Sequence, residues 1–305
     1  EIYESLVFKD IRDACDIFMP VYEETKGLDG YISIEVPPTL AKDTESTISE
    51  AIRYYTAIGR ENLMIKIPGT PEGLPAVTRV ISEGINVNVT LLFSVESYIN
   101  TARAYIEGLE ARAAKGEDID NIASVASFFL SRIDSNIDGL IDEKLKKVTD
   151  ETVKAKLEAV KGKVAIANAK IAYQKYKEII QSDRWKALSA KGAKEQRLLW
   201  ASTSTKNPAY SDVMYVDELI GPNTVNTLPP QTIDACADHC DVDNRVETNI
   251  EVTKEVMKNL KDPDININID QVMEELLVEG IDKFIKPFTS LINSLEEKVK
   301  KLTPV

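Results

Sequence analysis

The stretch from Asn62 to Ser94, NLMIKIPGTPEGLPAVTRVISEGINVNVTLLFS, constrains this chain more than any other. It reads as strand, turn-rich connection, helix and strand. Side chains alternate across a strand, so Leu63, Ile65 and Ile67 share one face while Met64 and Lys66 share the other. The second strand alternates cleanly, with Asn86, Asn88 and Thr90 on one side and Val87, Val89 and Leu91 on the other. Between them, Pro71 to Glu83 forms a helix whose Leu74, Val77, Val80 and Ile81 lie at core-facing spacings. Strand, helix and strand in this order is the unit of a parallel sheet, because parallel neighbours need a crossover connection.

Lys66 stands where a hydrophobe is expected. A lysine held among aliphatic neighbours loses solvation of its ammonium form, which favours the free amine that attacks a carbonyl. The alternative is a strand-end lysine that lays its stem on apolar surface and keeps its head in water. Spacing alone favours the alternative, because charged residues are rarely buried. The polar side chains of Asn86, Asn88 and Thr90 narrow the difference, since a strand buried on both faces has no ordinary use for them. Both readings stand at this point.

Length and charge set further bounds. A chain of 305 residues matches two ordinary domains or one α/β barrel. A net charge of −13 opposes a nucleic-acid or anionic-membrane partner, so any anionic substrate needs a local positive site. Three cysteines without paired spacing point to a reducing, cytoplasmic compartment. No apolar run approaches the roughly 18 residues of a membrane span.

Along the chain, Glu1 to Thr25 reads as a helix with a stripe of Leu6, Ile11, Ala14, Phe18 and Val21, ended by Pro20. Further strands are expected at Tyr31–Val36, Ile122–Leu130, Leu198–Ser202 and Thr224–Thr227. Asp43 to Arg60, Val95 to Lys115 and Tyr210 to Leu219 read as helices. Residues 134–196 read as a helical elaboration of one connection, and 249–302 as C-terminal helices on the same domain, 1–305. Cys236, His239 and Cys240 fall at i, i+3 and i+4, but a structural zinc site wants about four ligands, so no metal is expected. The alternation of strands and helices, with polar residues gathered at strand C-terminal ends, implies a TIM-type (β/α)8 barrel plus extra helices. Six candidate strands are readable, against the roughly eight such a barrel needs.

DGYISIEV, NLMIKIPGTPEG, GINVNVTLLFS, SFFLSR and WASTSTKNP together resemble the transaldolase family, in its longer bacterial and plant-type branch, from about Asp10 onward. The resemblance implies transfer of a dihydroxyacetone unit from sedoheptulose 7-phosphate or fructose 6-phosphate to glyceraldehyde 3-phosphate or erythrose 4-phosphate. It assigns the Schiff base to Lys66 and a proton-relaying water to Glu35 and Thr90. Asn88 would bind a substrate hydroxyl. Ser127, Arg132 and Ser202 would grip the phosphate, Phe129 would shape the pocket, and Lys206 would replace a second phosphate-binding arginine. No cofactor is implied. The family pattern also has two strands ahead of Glu1, so an N-terminally incomplete barrel is expected. The alternatives are a related Schiff-base aldolase, or an impaired barrel that only binds sugar phosphate or a partner chain. Oligomeric state is not readable.

Overall fold

The computed structural model describes residues 2–302, so Glu1 of the expected first helix and the last three residues lie outside it. Helix α1 (Ile2–Glu24) leads into β1 (Ile32–Glu35). Then follow α2 (Thr44–Ile58), β2 (Leu63–Pro68), α3 (Gly73–Ser82), β3 (Asn86–Leu92), α4 (Val95–Ala114) and β4 (Ser124–Phe129). The next connection carries α5 (Ser131–Leu145), α6 (Glu151–Glu158), α7 (Val164–Ile180) and α8 (Asp183–Ser189) before β5 (Arg197–Ala201). The remainder is α9 (Met214–Asp217), β6 (Thr224–Asn226), α10 (Pro230–His239), α11 (Ile250–Asn259) and α12 (Ile269–Leu302).

The strands form one parallel sheet in the order β1-β2-β3-β4-β5-β6, with β1 and β6 at its edges among the described residues. Every adjacent pair is consecutive in sequence, as a run of crossover units requires. Helix ends follow local chemistry. Asp43 caps α2 by accepting from Ser46 N–H, and Gly59 ends it in the left-handed region that glycine enters without strain. Ser94 and Ser97 cap α4 reciprocally.

Two buried asparagines fix the sheet's register. The Asn62 amide donates to Cys15 and Gly30 carbonyls, joining α1 to the first two strands. Asn86 donates to the Glu61 and Leu63 carbonyls and accepts from Ala123 N–H, joining β2, β3 and β4. Asn86 is therefore structural. No helix among the described residues is long and apolar enough to cross a membrane.

Several expectations are corrected. Pro20 does not end α1, which continues to Glu24. A proline withholds only one N–H, and Thr25 and Gly27 restore i-to-i−4 or i−5 bonds immediately beyond it. The face of α1 that docks is Phe8 and Cys15, leaving Leu6, Phe18 and Val21 exposed. The helix expected over Tyr210 to Leu219 shrinks to α9, because Tyr210 is drawn away to a buried carboxylate. The apolar alternation of β3 stops at Thr90: the register shifts between Val89 and Leu92, and Leu91 takes φ +61°. This bulge turns Leu91 off the face it would share with Val87 and Val89.

α5 holds its surroundings through two buried carboxylates. Asp134 accepts from Ala165 N–H and the Tyr215 hydroxyl, both at 2.8 Å. Asp138 accepts from Gly162 N–H at 3.0 Å and the Tyr210 hydroxyl at 2.7 Å. Burial pushes the Asp134 carboxyl up to about 6, against the pull of its hydrogen bonds. The folded chain thus holds this proton more tightly than the unfolded chain. The associated stability is complete below about pH 4, the unfolded aspartate range, and is lost as pH rises through about 6. The melting-temperature advantage of wild type over Asp134→Asn should therefore fall by several degrees between about pH 4 and 7, then level off. A flat difference across that window, measured by circular dichroism melts, counts against this account.

Candidate active site

The parallel register sets Glu35, at the end of β1, beside Lys66 in β2, and Lys66 beside Asn88 in β3. Lys66 Nζ lies 3.4 Å from Glu35 Oε2, with both side chains about one-fifth exposed (24% and 18%). Burial raises the Glu35 carboxyl above its ordinary range, and the Lys66 ammonium opposes that rise. A carboxylate so placed passes protons more readily near neutrality than one in water. Above the amine, the Phe284 ring of α12 stands 5.6 Å from Nζ.

Asn88 and Ser127 form a relay across the sheet. Ser127 Oγ donates to Asn88 Oδ1 at 2.7 Å, and Asn88 Nδ2 donates to Ser33 Oγ at 3.1 Å. These bonds fix the orientation of the Asn88 amide beside Lys66.

Arg132 is in the first turn of α5, directly after β4. Its guanidinium stacks over the Phe129 ring at 5.1 Å, and Phe129 lies 5.3 Å from the Phe93 ring. Burial pulls the guanidinium down from its ordinary range. The ion pair with Asp134 that adjacency in sequence suggests does not form, since Asp134 is committed to Ala165 and Tyr215. Instead, Arg132 Nη1 is buried without a hydrogen-bond partner among the described residues, as are Glu35 Oε1 and Thr90 Oγ1. An arginine fork with a free buried N–H suits an oxyanion, which accepts two such bonds at once.

Ser202 follows β5 at φ +56°, and its hydroxyl lies 2.8 Å from that of Ser131. Ser131 was not legible as a site residue. Its only sequence signal is its place beside Arg132 in SFFLSR. The strained backbone at Ser202 is the kind of outlier that tertiary contacts impose at functional loops. Lys206 is exposed on the loop beyond, and its ammonium donates to Ser204 Oγ at 2.6 Å rather than to any member of the set. His239 is held by Asp212 and Asp238, and among the described residues no group of three or more His, Cys, Asp or Glu is arranged to hold a metal.

Chemically, the arrangement offers a sheltered amine beside a carboxylate, a buried free hydroxyl and a guanidinium for an anion. That is the layout of a parallel α/β enzyme with its polar groups gathered on one side of the sheet. The family model described as transaldolase/fructose-6-phosphate aldolase matches residues 1–295. The chain is 97% identical over 305 residues to transaldolase of Trichodesmium erythraeum (strain IMS101), covering 100% of this chain and 80% of that protein. It is 72% identical over 306 residues to transaldolase 2 of Nostoc sp. (strain PCC 7120), with the same coverage. Transaldolase of Saccharopolyspora erythraea is 49% identical over 295 residues, covering 96% of this chain and 77% of that one. The chain belongs to the transaldolase/fructose-6-phosphate aldolase family.

Thr90 tests whether the free polar groups are there for chemistry. Its hydroxyl is fully buried and unpartnered among the described residues, an arrangement that costs about 1–3 kcal/mol. Thr90→Val keeps the shape and removes that penalty. The variant should be more stable by about 1 kcal/mol while losing most of its turnover. Lower stability in a urea titration would refute this reading of the hydroxyl.

Proposed function

We propose that this chain is a transaldolase acting through a Schiff base on Lys66. The observation that carries the proposal is the sheltered Lys66–Glu35 pair at 3.4 Å, set in register at the strand ends. Lys66 attacks the carbonyl of a ketose phosphate, and loss of water gives the imine. The protonated imine is the electron sink for breaking the next carbon–carbon bond but one. An aldose phosphate leaves, and the three-carbon unit stays on Lys66 until another aldehyde takes it. Sedoheptulose 7-phosphate and fructose 6-phosphate serve as donors, glyceraldehyde 3-phosphate and erythrose 4-phosphate as acceptors.

Glu35, with Thr90, holds the water that carries protons to and from the imine. The raised Glu35 carboxyl and the free Thr90 hydroxyl support that role. Asn88 takes a substrate hydroxyl in an orientation set by Ser127 and Ser33. Arg132 takes the phosphate, with Ser202 and the Ser127 side of the pocket, while Phe129 shapes the wall. Lys206 adds charge from the neighbouring loop. The chain is read as one domain, 1–305, on a TIM-type barrel plan, cytoplasmic and without a cofactor.

The aldolase half of the family's description keeps a second outcome in view, release of the three-carbon unit as free dihydroxyacetone. Incubation with fructose 6-phosphate, borohydride reduction and peptide mass spectrometry should place an adduct on Lys66, absent in Lys66→Arg. Turnover should require erythrose 4-phosphate; turnover without it would make the enzyme an aldolase. No adduct on folded protein would end the Schiff-base reading. Arg132→Gln should raise KM for fructose 6-phosphate about 10- to 100-fold, the worth of a charge-assisted hydrogen bond of about 1.5–3 kcal/mol. An unchanged KM would remove Arg132 from the phosphate site.

A further inference from the structure

We propose that Phe284, on α12, keeps water from the three-carbon intermediate on Lys66 and so sets the split between transfer and hydrolysis. The inference rests on the Schiff-base reading above. α12 packs against β3, α5, α1 and the short turn Pro38–Leu40, which brings its inner face to the strand C-terminal ends. Gly280 allows the close approach. A methyl added there would stand 3.1 Å from Leu91 Cδ2 and 3.7 Å from Arg132 Nη1. One turn on, Phe284 faces Lys66, with its ring centroid 5.6 Å from Nζ. A further turn on, Phe288 packs edge-on against Tyr3 of α1 at 5.6 Å.

Residues 280, 284 and 288 thus lie on one helix face, at the spacing that stacks side chains above one another. The opposite side carries the exposed Asp282 and Lys286. Phe284 is partly buried and packs against the apolar core, with its ring set over the Lys66 ammonium.

The chemistry explains why a ring belongs there. After cleavage, the three-carbon unit is an enamine on Lys66. In transfer, its nucleophilic carbon bonds to the aldehyde carbon, the aldehyde oxygen takes a proton, and the nitrogen returns to the imine. In loss, the same carbon takes a proton from water. Water then adds to the imine carbon, the carbon–nitrogen bond breaks, and dihydroxyacetone leaves with the Lys66 amine restored. Both routes are redox-neutral and differ only in whether water or aldehyde reaches the enamine first. One water is also needed to release the product ketose, so the ring must restrict access rather than abolish it. An aromatic face suits the position because it repels no cation: it attracts the ammonium and the protonated imine alike. Phe284 touches no reacting atom and acts as a positioning and shielding residue.

The test uses the full chain with fructose 6-phosphate as donor and erythrose 4-phosphate as acceptor. Dihydroxyacetone released and ketose transferred are quantified together, alongside the borohydride adduct on Lys66. Phe284→Ala should raise the ratio of release to transfer about tenfold with the adduct retained, as expected when water enters a closed site. Phe284→Leu restores apolar bulk and should hold the ratio within about threefold of wild type. Phe284→Gln, long but polar, answers the same question if the alanine variant unfolds. A merely structural role would lower release and transfer together and leave the ratio unchanged. A ratio within about twofold of wild type in folded Ala or Gln variants overturns the proposal. Failure to trap an adduct in wild type would instead fall on the Schiff-base reading itself.

Discussion

The pairing of β1 with β2 is the constraint on which the site depends. It sets Glu35 opposite Lys66, so two ionisable groups are withdrawn from water together. Either one alone would carry the full desolvation cost, and a one-residue slip would send Lys66 to the opposite face of its strand. The register is held at the other end of the strands by Asn62 and Asn86, whose amides bond to backbone groups of neighbouring elements. Their bonds tie separate elements together and are mostly buried, so they are expensive to break. Stability at the bottom of the sheet thus supports charge at the top.

The upper end is built differently. Glu35 Oε1, Thr90 Oγ1 and Arg132 Nη1 are left without hydrogen-bond partners among the described residues. Leu91 and Ser202 hold left-handed backbone at the ends of their strands. Each of these features lowers stability, and each lies around Lys66 or on the arginine side of the site. The aliphatic interior offsets the cost: Leu63, Ile65, Ile67, Val87 and Val89 are wholly buried on the sheet below. A rigid apolar base under a strained polar rim keeps the site groups in place while Glu35 Oε1, Thr90 Oγ1 and Arg132 Nη1 stay unpartnered among the described residues.

α12 adds the cover. Its helical character is local, but its contribution is wholly tertiary. Leu91 is moved by the β3 bulge to where Gly280 passes, and that contact lowers the helix onto the site. The same helix bears Glu279, whose charge acts on Arg132. One element therefore reaches both the amine and the guanidinium.

By itself, the sequence determined the six strands, their parallel order and the residues at their ends. Period-two alternation and the need of parallel strands for a crossover are readable from sequence, although the bulge at Leu91 breaks the alternation of β3. It also offered Lys66, Glu35, Asn88, Thr90, Ser127 and Arg132 as site candidates, since each stands in a motif on or beside a strand. The tertiary structure decided what those residues bond to. Asp134 looked like a partner for Arg132, yet α7 and Tyr215 claim it from 31 and 81 residues away. The docking face of α1 moved to Phe8 and Cys15, because the sheet selects among apolar residues that spacing treats alike. Phe284 was legible only as one more apolar position on a long helix, identical in pattern to Met273 or Ile281. Periodicity narrows which side of a helix can face inward. Only the packing of distant elements fixes what waits on that side, and for Phe284 it is the lysine amine.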